Sequence, residues 1–169
     1  MILRFAASKG CSAARGDGMD KNFFVQEIER NSGMMYRVAF TILRNEEDCR
    51  DALQEAALKA WEKRKGLREE KYFATWATRI LINECYNIQR KRKRILLLAE
   101  TPERPAPMQD STLSLILHTL PEKLRLPLVL QYAEGMNYEE IAKILHLSPS
   151  TVRGRIHRAK QRLRKEWEA

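Results

Sequence analysis

Cysteine is scarce in this chain. Cys11, Cys49 and Cys85 are the whole supply, odd in number, widely spaced and without a C-x-x-C pair. That excludes a disulfide framework and a cysteine-based zinc site, and it fits a reducing cytoplasm. His118, His146 and His157 have no ligand-like company, so no metal and no cofactor are expected. No apolar run approaches the roughly 18 residues that a membrane span requires, so direct membrane insertion is not expected. Strand-type alternation, internal repeats and a nucleophile motif are also missing. An all-α protein that is not an enzyme is the expectation.

Acidic residues are absent from one long stretch, Ser148 to Lys165, and the chain as a whole is basic: 31 Lys and Arg against 22 Asp and Glu, a net charge of +9. Such an excess favours a polyanionic partner, nucleic acid or an anionic surface. With 44% hydrophobic and 31% charged residues, the 169-residue chain suits one ordinary domain or two small ones, helical and soluble. Residues 1–18 stand apart. Arg15-Gly16-Asp17-Gly18-Met19 can be encoded by AGG GGA GAT GGN ATG, a purine-rich ribosome-binding sequence before a start codon. Met19 is therefore expected to be the start and 1–18 a translated leader. Removing it lowers the charge from +9 by 2, to +7.

From Asp20 the pattern is helical almost throughout. Met34, Met35, Val38, Ala39, Ile42 and Leu43 recur at helical spacing, and Asn45 reads as an N-cap with Glu46, Glu47 and Asp48 placed favourably against the dipole of the next helix. That helix has a stripe of Ala52, Leu53, Ala56, Ala57, Ala60 and Trp61. Lys63 to Lys71 reads as a loop. A further helix carries Phe73, Ala77, Ile80, Leu81, Glu84, Cys85 and Ile88 along one side and ends in the run Arg90–Arg94. Pro102, Pro105 and Pro107 then forbid a regular helix, which makes 95–112 a flexible linker between a first domain, 19–94, and a second, 113–169. In the second, Leu113, Ile116, Leu117 and Leu120 form an apolar stripe, Pro121 suits a first helical turn, and Pro127 predicts a kink or a split.

The most specific pattern runs from Tyr138 to Ala159: two short helices joined by a tight turn, the second strongly basic, in the manner of a helix-turn-helix. Ile141, Ala142 and Leu145 face inward from the first helix, and Val152, Ile156, Ala159 and Leu163 from the second. Ser148 is a good N-cap and Pro149 a good first-turn residue. His146 stands where most such turns place Gly, and His tolerates positive φ better than most residues. Ser150, Thr151, Arg153, Gly154, His157, Arg158 and Lys160 lie on the outward face. Those nearest its N-terminus are placed for base edges, and Arg158 and Lys160 for phosphates.

Two other faces stand out. Asp48, Asp51, Gln54 and Glu55 recur every three or four residues and line one side of a helix whose other side is committed to a core. They read either as a solvated face or as a protein-docking face. Phe73, Trp76 and Ile80 read either as core or as stacking residues, because Arg68, Lys71, Arg79 and Arg90–Arg94 beside them suit single-stranded nucleic acid.

In this order, the pieces resemble the extracytoplasmic-function class of bacterial RNA polymerase sigma factors, over about Asp20 to Glu166. Asp48-Cys49-Arg50-Asp51-Ala52-Leu53-Gln54-Glu55 is similar to the block of that family that docks on the polymerase clamp. Phe73-Ala74-Thr75-Trp76 through Asn83 is similar to the block after it, Leu120-Pro121-Glu122-Lys123-Leu124-Arg125 to the opening of the second domain, and Glu134–Ala142 with Ser150–Ala159 to that domain's signature. The resemblance implies that Asp48, Asp51, Leu53, Gln54 and Glu55 hold core RNA polymerase. It implies that Arg68, Lys71, Arg79, Asn83, Asn87, Arg90 and Lys91 serve the −10 element of promoter DNA, and that Ser150 to Lys160 read the −35 element as duplex. It also implies an anti-sigma factor, often membrane-bound, as a partner, and a monomer when free. Arg50, Ala77 and His146 depart from the family's usual acid, Leu and Gly. The competing readings are an autonomous helix-turn-helix regulator, which would need a sensor or dimerising domain that 20–94 does not resemble, and an RNA-binding protein.

Overall fold

The computed structural model describes residues 19–99, 117 and 119–168. The proposed leader, most of the linker and half of the stripe of Leu113, Ile116, Leu117 and Leu120 lie outside them. Among the described residues there are six α-helices and no strand. The first domain holds α1 (Lys21–Leu43), α2 (Glu46–Glu62) and α3 (Phe73–Ala99). The second holds α4 (Glu122–Tyr132), α5 (Tyr138–Leu145) and α6 (Pro149–Glu168).

Local chemistry sets the boundaries. The Asp20 carboxylate accepts from the Asn22 amide at 3.2 Å to start α1, which ends at Arg44 with φ of 55°. Asn45 accepts from the Asp48 amide at 2.9 Å and starts α2, as its sequence position suggests. Ala52, Ala56 and Ala60 are all buried. Spaced four apart, they let α1 and α3 approach α2 closely. The α3 stripe of Phe73, Ala77, Leu81 and Cys85 closes this core. Burial pushes the Cys49 thiol up to about 11 and raises that of Cys85 as well, so both stay protonated and unreactive.

Three expectations need correcting. Lys63–Lys71 is not plain loop. Two 3-10 turns, Arg64–Gly66 and Glu70–Tyr72, bracket it, and Arg64 is anchored by a 2.8 Å bond to the Trp61 carbonyl with its guanidinium 4.0 Å from the Trp61 ring centroid. Helix α3 does not end in the basic cluster Arg90–Arg94 but runs past it to Ala99. Pro127 does not split α4. The amide it lacks would have served the Lys123 carbonyl in the first turn, so one bond is lost near a helix end while the ring is buried.

The helix-turn-helix forms as its caps dictate. Asn137 and Glu140 make a reciprocal capping box on α5. His146 takes φ of 53° and ψ of 47°, the left-handed conformation expected of it. Ser148 accepts from the Thr151 amide at 3.2 Å and starts α6. Replacing His146 by valine is expected to cost about 1–2 kcal/mol, because a β-branched residue is strained there, while glycine should be tolerated. Thermal unfolding of the two variants checks this, and equal melting temperatures would argue against strain at the turn.

Candidate docking and nucleic-acid interfaces

Helix α2 presents the acidic face. Asp51, Gln54 and Glu55 are exposed and share one side of the helix. Leu58, one turn further on, is 44% exposed in the same line, which a count of carboxylates and amides alone passes over. Its signal was an apolar residue at the spacing of the polar side. Two expected members behave differently. Leu53 is buried at 7%, so it belongs to the core and holds the helix in place rather than meeting a partner. Asp48 is half-buried and paired with Arg92 of α3 at 2.6 Å. Arg50 pairs with Glu46 at 3.1 Å on the exposed side, so this departure from the family acid leaves a local ion pair.

The aromatic and basic face spans the two 3-10 turns and one side of α3. Trp76, Arg79, Asn83, Asn87 and Arg90 follow helical spacing along that side, with Lys91 beside them and Arg68 and Lys71 in the preceding segment. Phe73 settles as core, buried at 1% with edge contacts to Phe23 and Phe24, whereas Trp76 and Ile80 are half-buried. Tyr72 was missed in the sequence. It is 43% exposed, with the Lys71 ammonium 4.9 Å from its ring centroid, in an arrangement suited to stacking against a base. Asn87 is held by Glu84, to which it donates, and by Arg90, from which it accepts. Glu84 in turn receives Lys59 at 2.7 Å. Burial works to raise the Glu84 carboxyl, but the bonds from Lys59 and Asn87 outweigh it and hold the group below its ordinary value.

The third face is α6. Ser150, Arg153, His157, Arg158 and Lys160 are exposed, and Val152, Ile156 and Ala159 are buried beneath them. Thr151 is half-buried, and its hydroxyl lies 2.8 Å from that of Ser148, so part of its capacity serves the cap. Arg153 and Lys160 rest over the Tyr138 and Tyr132 rings, at 5.4 and 4.6 Å, and Arg158 bonds the Gly154 carbonyl at 3.2 Å. A Cβ at Gly154 would meet open space, so internal packing does not demand glycine there. Among the described residues no group of His, Cys, Asp or Glu could hold a metal, and no helix is long and apolar enough to cross a membrane.

A three-helix domain with an acidic face and a basic aromatic face, joined to a helix-turn-helix domain, defines a two-domain helical protein of the DNA-reading kind. Residues 28–95 match the family described as Sigma-70 region 2, and residues 112–163 match Sigma-70, region 4. The ECF RNA polymerase sigma-E factor of Haemophilus influenzae is 32% identical, with 87% of each chain covered. The ECF RNA polymerase sigma factor SigE of Mycolicibacterium smegmatis is 30% identical over 89% of this chain, which spans 64% of that protein's length. The fold also matches that of the sigma factor RpoE from Bartonella quintana, solved in complex with the anti-sigma factor NepR. That match has a TM-score of 0.74 at 24% identity and covers 86% of this chain and 97% of that one. The chain belongs to the extracytoplasmic-function class of the sigma-70 family of RNA polymerase sigma factors.

Proposed function

We propose that this protein captures core RNA polymerase through α2, reads the −35 element as duplex with α6, and holds the −10 element as unpaired strand along α3. The observation that carries the proposal is the division of labour: an acid-free reading helix, Ser148 to Lys165, on one domain, and separate acidic and basic aromatic faces on the other. Each DNA-facing surface is small. Fixed on one polymerase, two such surfaces gain effective concentration for two promoter elements at once. Trapping extruded bases offsets part of the melting cost, which is about a few kcal/mol per base. Covalent chemistry belongs to the polymerase. On this reading the protein works in the cytoplasm, is a monomer when free, and is restrained by an anti-sigma factor, which in the family is often membrane-bound.

Run-off transcription with core polymerase is the test. The purified protein should direct initiation from its own promoter, and Arg153→Ala should weaken promoters differing in the −35 element unequally, by about 1–3 kcal/mol where the contacted base matters. Uniform loss would make Arg153 a phosphate contact. Tight binding of a promoter fragment as a dimer, with no initiation by core enzyme, would establish the autonomous regulator instead.

A further inference from the structure

Glu84 is an unexpected occupant of its place. It lies on α3, which packs against α2, and it is only 7% exposed. Leu81 and Cys85 on the same side of α3 are wholly buried, and so are Ala56 and Ala60, which flank Lys59 in α2. Desolvating a carboxylate is costly, and a buried ion pair can commonly be replaced by apolar residues of similar volume with no loss of stability. Stability alone is therefore a weak reason for Glu84.

Its bonds supply a stronger one. Glu84 Oε2 accepts from Nζ of Lys59 at 2.7 Å and from Nδ2 of Asn87 at 3.2 Å. Asn87 Oδ1 accepts in turn from Nη2 of Arg90. The exposed Glu55 lies farther from the Lys59 ammonium, at 3.9 Å, so that ammonium is committed to Glu84. The row Glu84, Asn87, Arg90 climbs α3 at helical spacing, from the α2 contact to the exposed side where Arg90 stands. Chemistry fixes the direction of every bond in it. A carboxylate only accepts and a guanidinium only donates. The Asn87 amide between them must turn its NH2 to Glu84 and its oxygen to Arg90, and both neighbours demand that one orientation. Against the burial that would neutralise it, the bonds from Lys59 and Asn87 keep Glu84 ionised.

We infer that Glu84 is a positioning residue for the −10 strand: through Asn87 it holds the Arg90 guanidinium ready for a strand phosphate, and Lys59 ties that carboxylate to α2. The inference rests on the proposed −10 role of α3, and it changes the part given to Asn87. The Asn87 amide carries Arg90 rather than reading a base. A guanidinium already fixed loses less rotamer freedom on meeting a phosphate than a free one does. The residue at 87 is also constrained by the one at 84. An aspartate at 87 would pair with Arg90 but would set its carboxylate against that of Glu84.

Two measurements on the full chain test this. The first is thermal unfolding without DNA. Asn87→Asp should lower the melting temperature, and adding Glu84→Gln should restore it towards the parent value. The new glutamine can accept from Lys59 and donate to the new aspartate, which still accepts from Arg90. Glu84→Gln in the parent should give no rise. The second measurement uses the polymerase-bound protein and a fluorescent single-stranded 20-mer carrying the non-template strand of its own promoter across the −10 element. Glu84→Gln should weaken binding several-fold, although removing a negative charge beside a DNA face predicts the reverse on electrostatics alone. In an Arg90→Ala background Glu84→Gln should bring no further loss, because the group it positions is gone. Polymerase capture by Glu84→Gln should match the parent. Absence of the rescue in the melts overturns the Glu84–Asn87–Arg90 relay. Unchanged or tighter strand binding by Glu84→Gln overturns the positioning, and so does an equal loss with and without Arg90, which a merely structural role would give. Loss of capture would make Glu84 a support for docking instead. Arg90→Ala binding the strand as well as the parent does would remove the −10 assignment, and this role of Glu84 with it, while the melting result stands, so the two failures are separable.

Discussion

Phe73→Ala is expected to lower the stability of the first domain by about 3–5 kcal/mol, with a fall in melting temperature of more than about 10 °C. Phe73 is 1% exposed at the start of α3, where its ring meets Phe24 edge-on at 5.7 Å and Phe23 at 6.3 Å, and Phe24 in turn meets Trp61 at 5.1 Å. Deleting the ring removes buried area and leaves a cavity where α1, α2 and α3 converge, which partial relaxation does not fill. Because Phe73 directly follows the Glu70–Tyr72 turn, the loss should also loosen the segment proposed to face the −10 element. Circular dichroism melts of Phe73→Ala and Phe73→Leu check this, with leucine giving the smaller loss. An unchanged melt combined with weaker single-strand binding would instead make Phe73 a stacking residue.

The second large effect is expected at α2. Gln54→Ala with Glu55→Ala should weaken capture of core polymerase, and adding Leu58→Asp should bring the loss to about 30-fold or more, as for an interface hot spot of about 2 kcal/mol. Leu58 is an exposed apolar side chain ringed by polar ones, the arrangement in which an anchor is desolvated on binding. All three positions are exposed, so the melting temperature should barely move, by the equivalent of about 0.5 kcal/mol per site. A titration of labelled protein with core polymerase measures the loss. Unchanged affinity would remove this face from docking and return Asp51, Gln54 and Glu55 to the role of a solvated surface.

Features of this chain are legible in its sequence to the extent that their determinants are local. Asn45, Ser148 and His146 were legible because each acts on groups within a few residues: a side-chain oxygen on a nearby amide, or a residue's own φ. The helix-turn-helix was legible for the same reason, since Ile141, Val152, Ile156 and Ala159 repeat with the helical period. Of the kink or split expected at Pro127, the split does not occur, because a proline's penalty depends on which carbonyl loses a partner, and here that carbonyl lies in a first turn. Leu53 came with the docking block through resemblance, although its period already placed it with Ala52 and Ala56 in the core stripe.

Sequence alone determined the all-helical architecture, the caps, the recognition helix and the acidic side of α2, because helical period, cap chemistry and charge are written within a turn or two of each residue. Tertiary structure alone decided what covers what. The burial of Phe73, the pairing of Asp48 with Arg92, the Arg37–Glu134 contact across 97 positions and the placement of Arg125 on the end of α1 all depend on groups distant in the chain. No local period encodes which exposed face a second domain comes to rest on. That is set by the apolar surface left on α4 once its own domain has folded, and by the few charges able to meet across the gap.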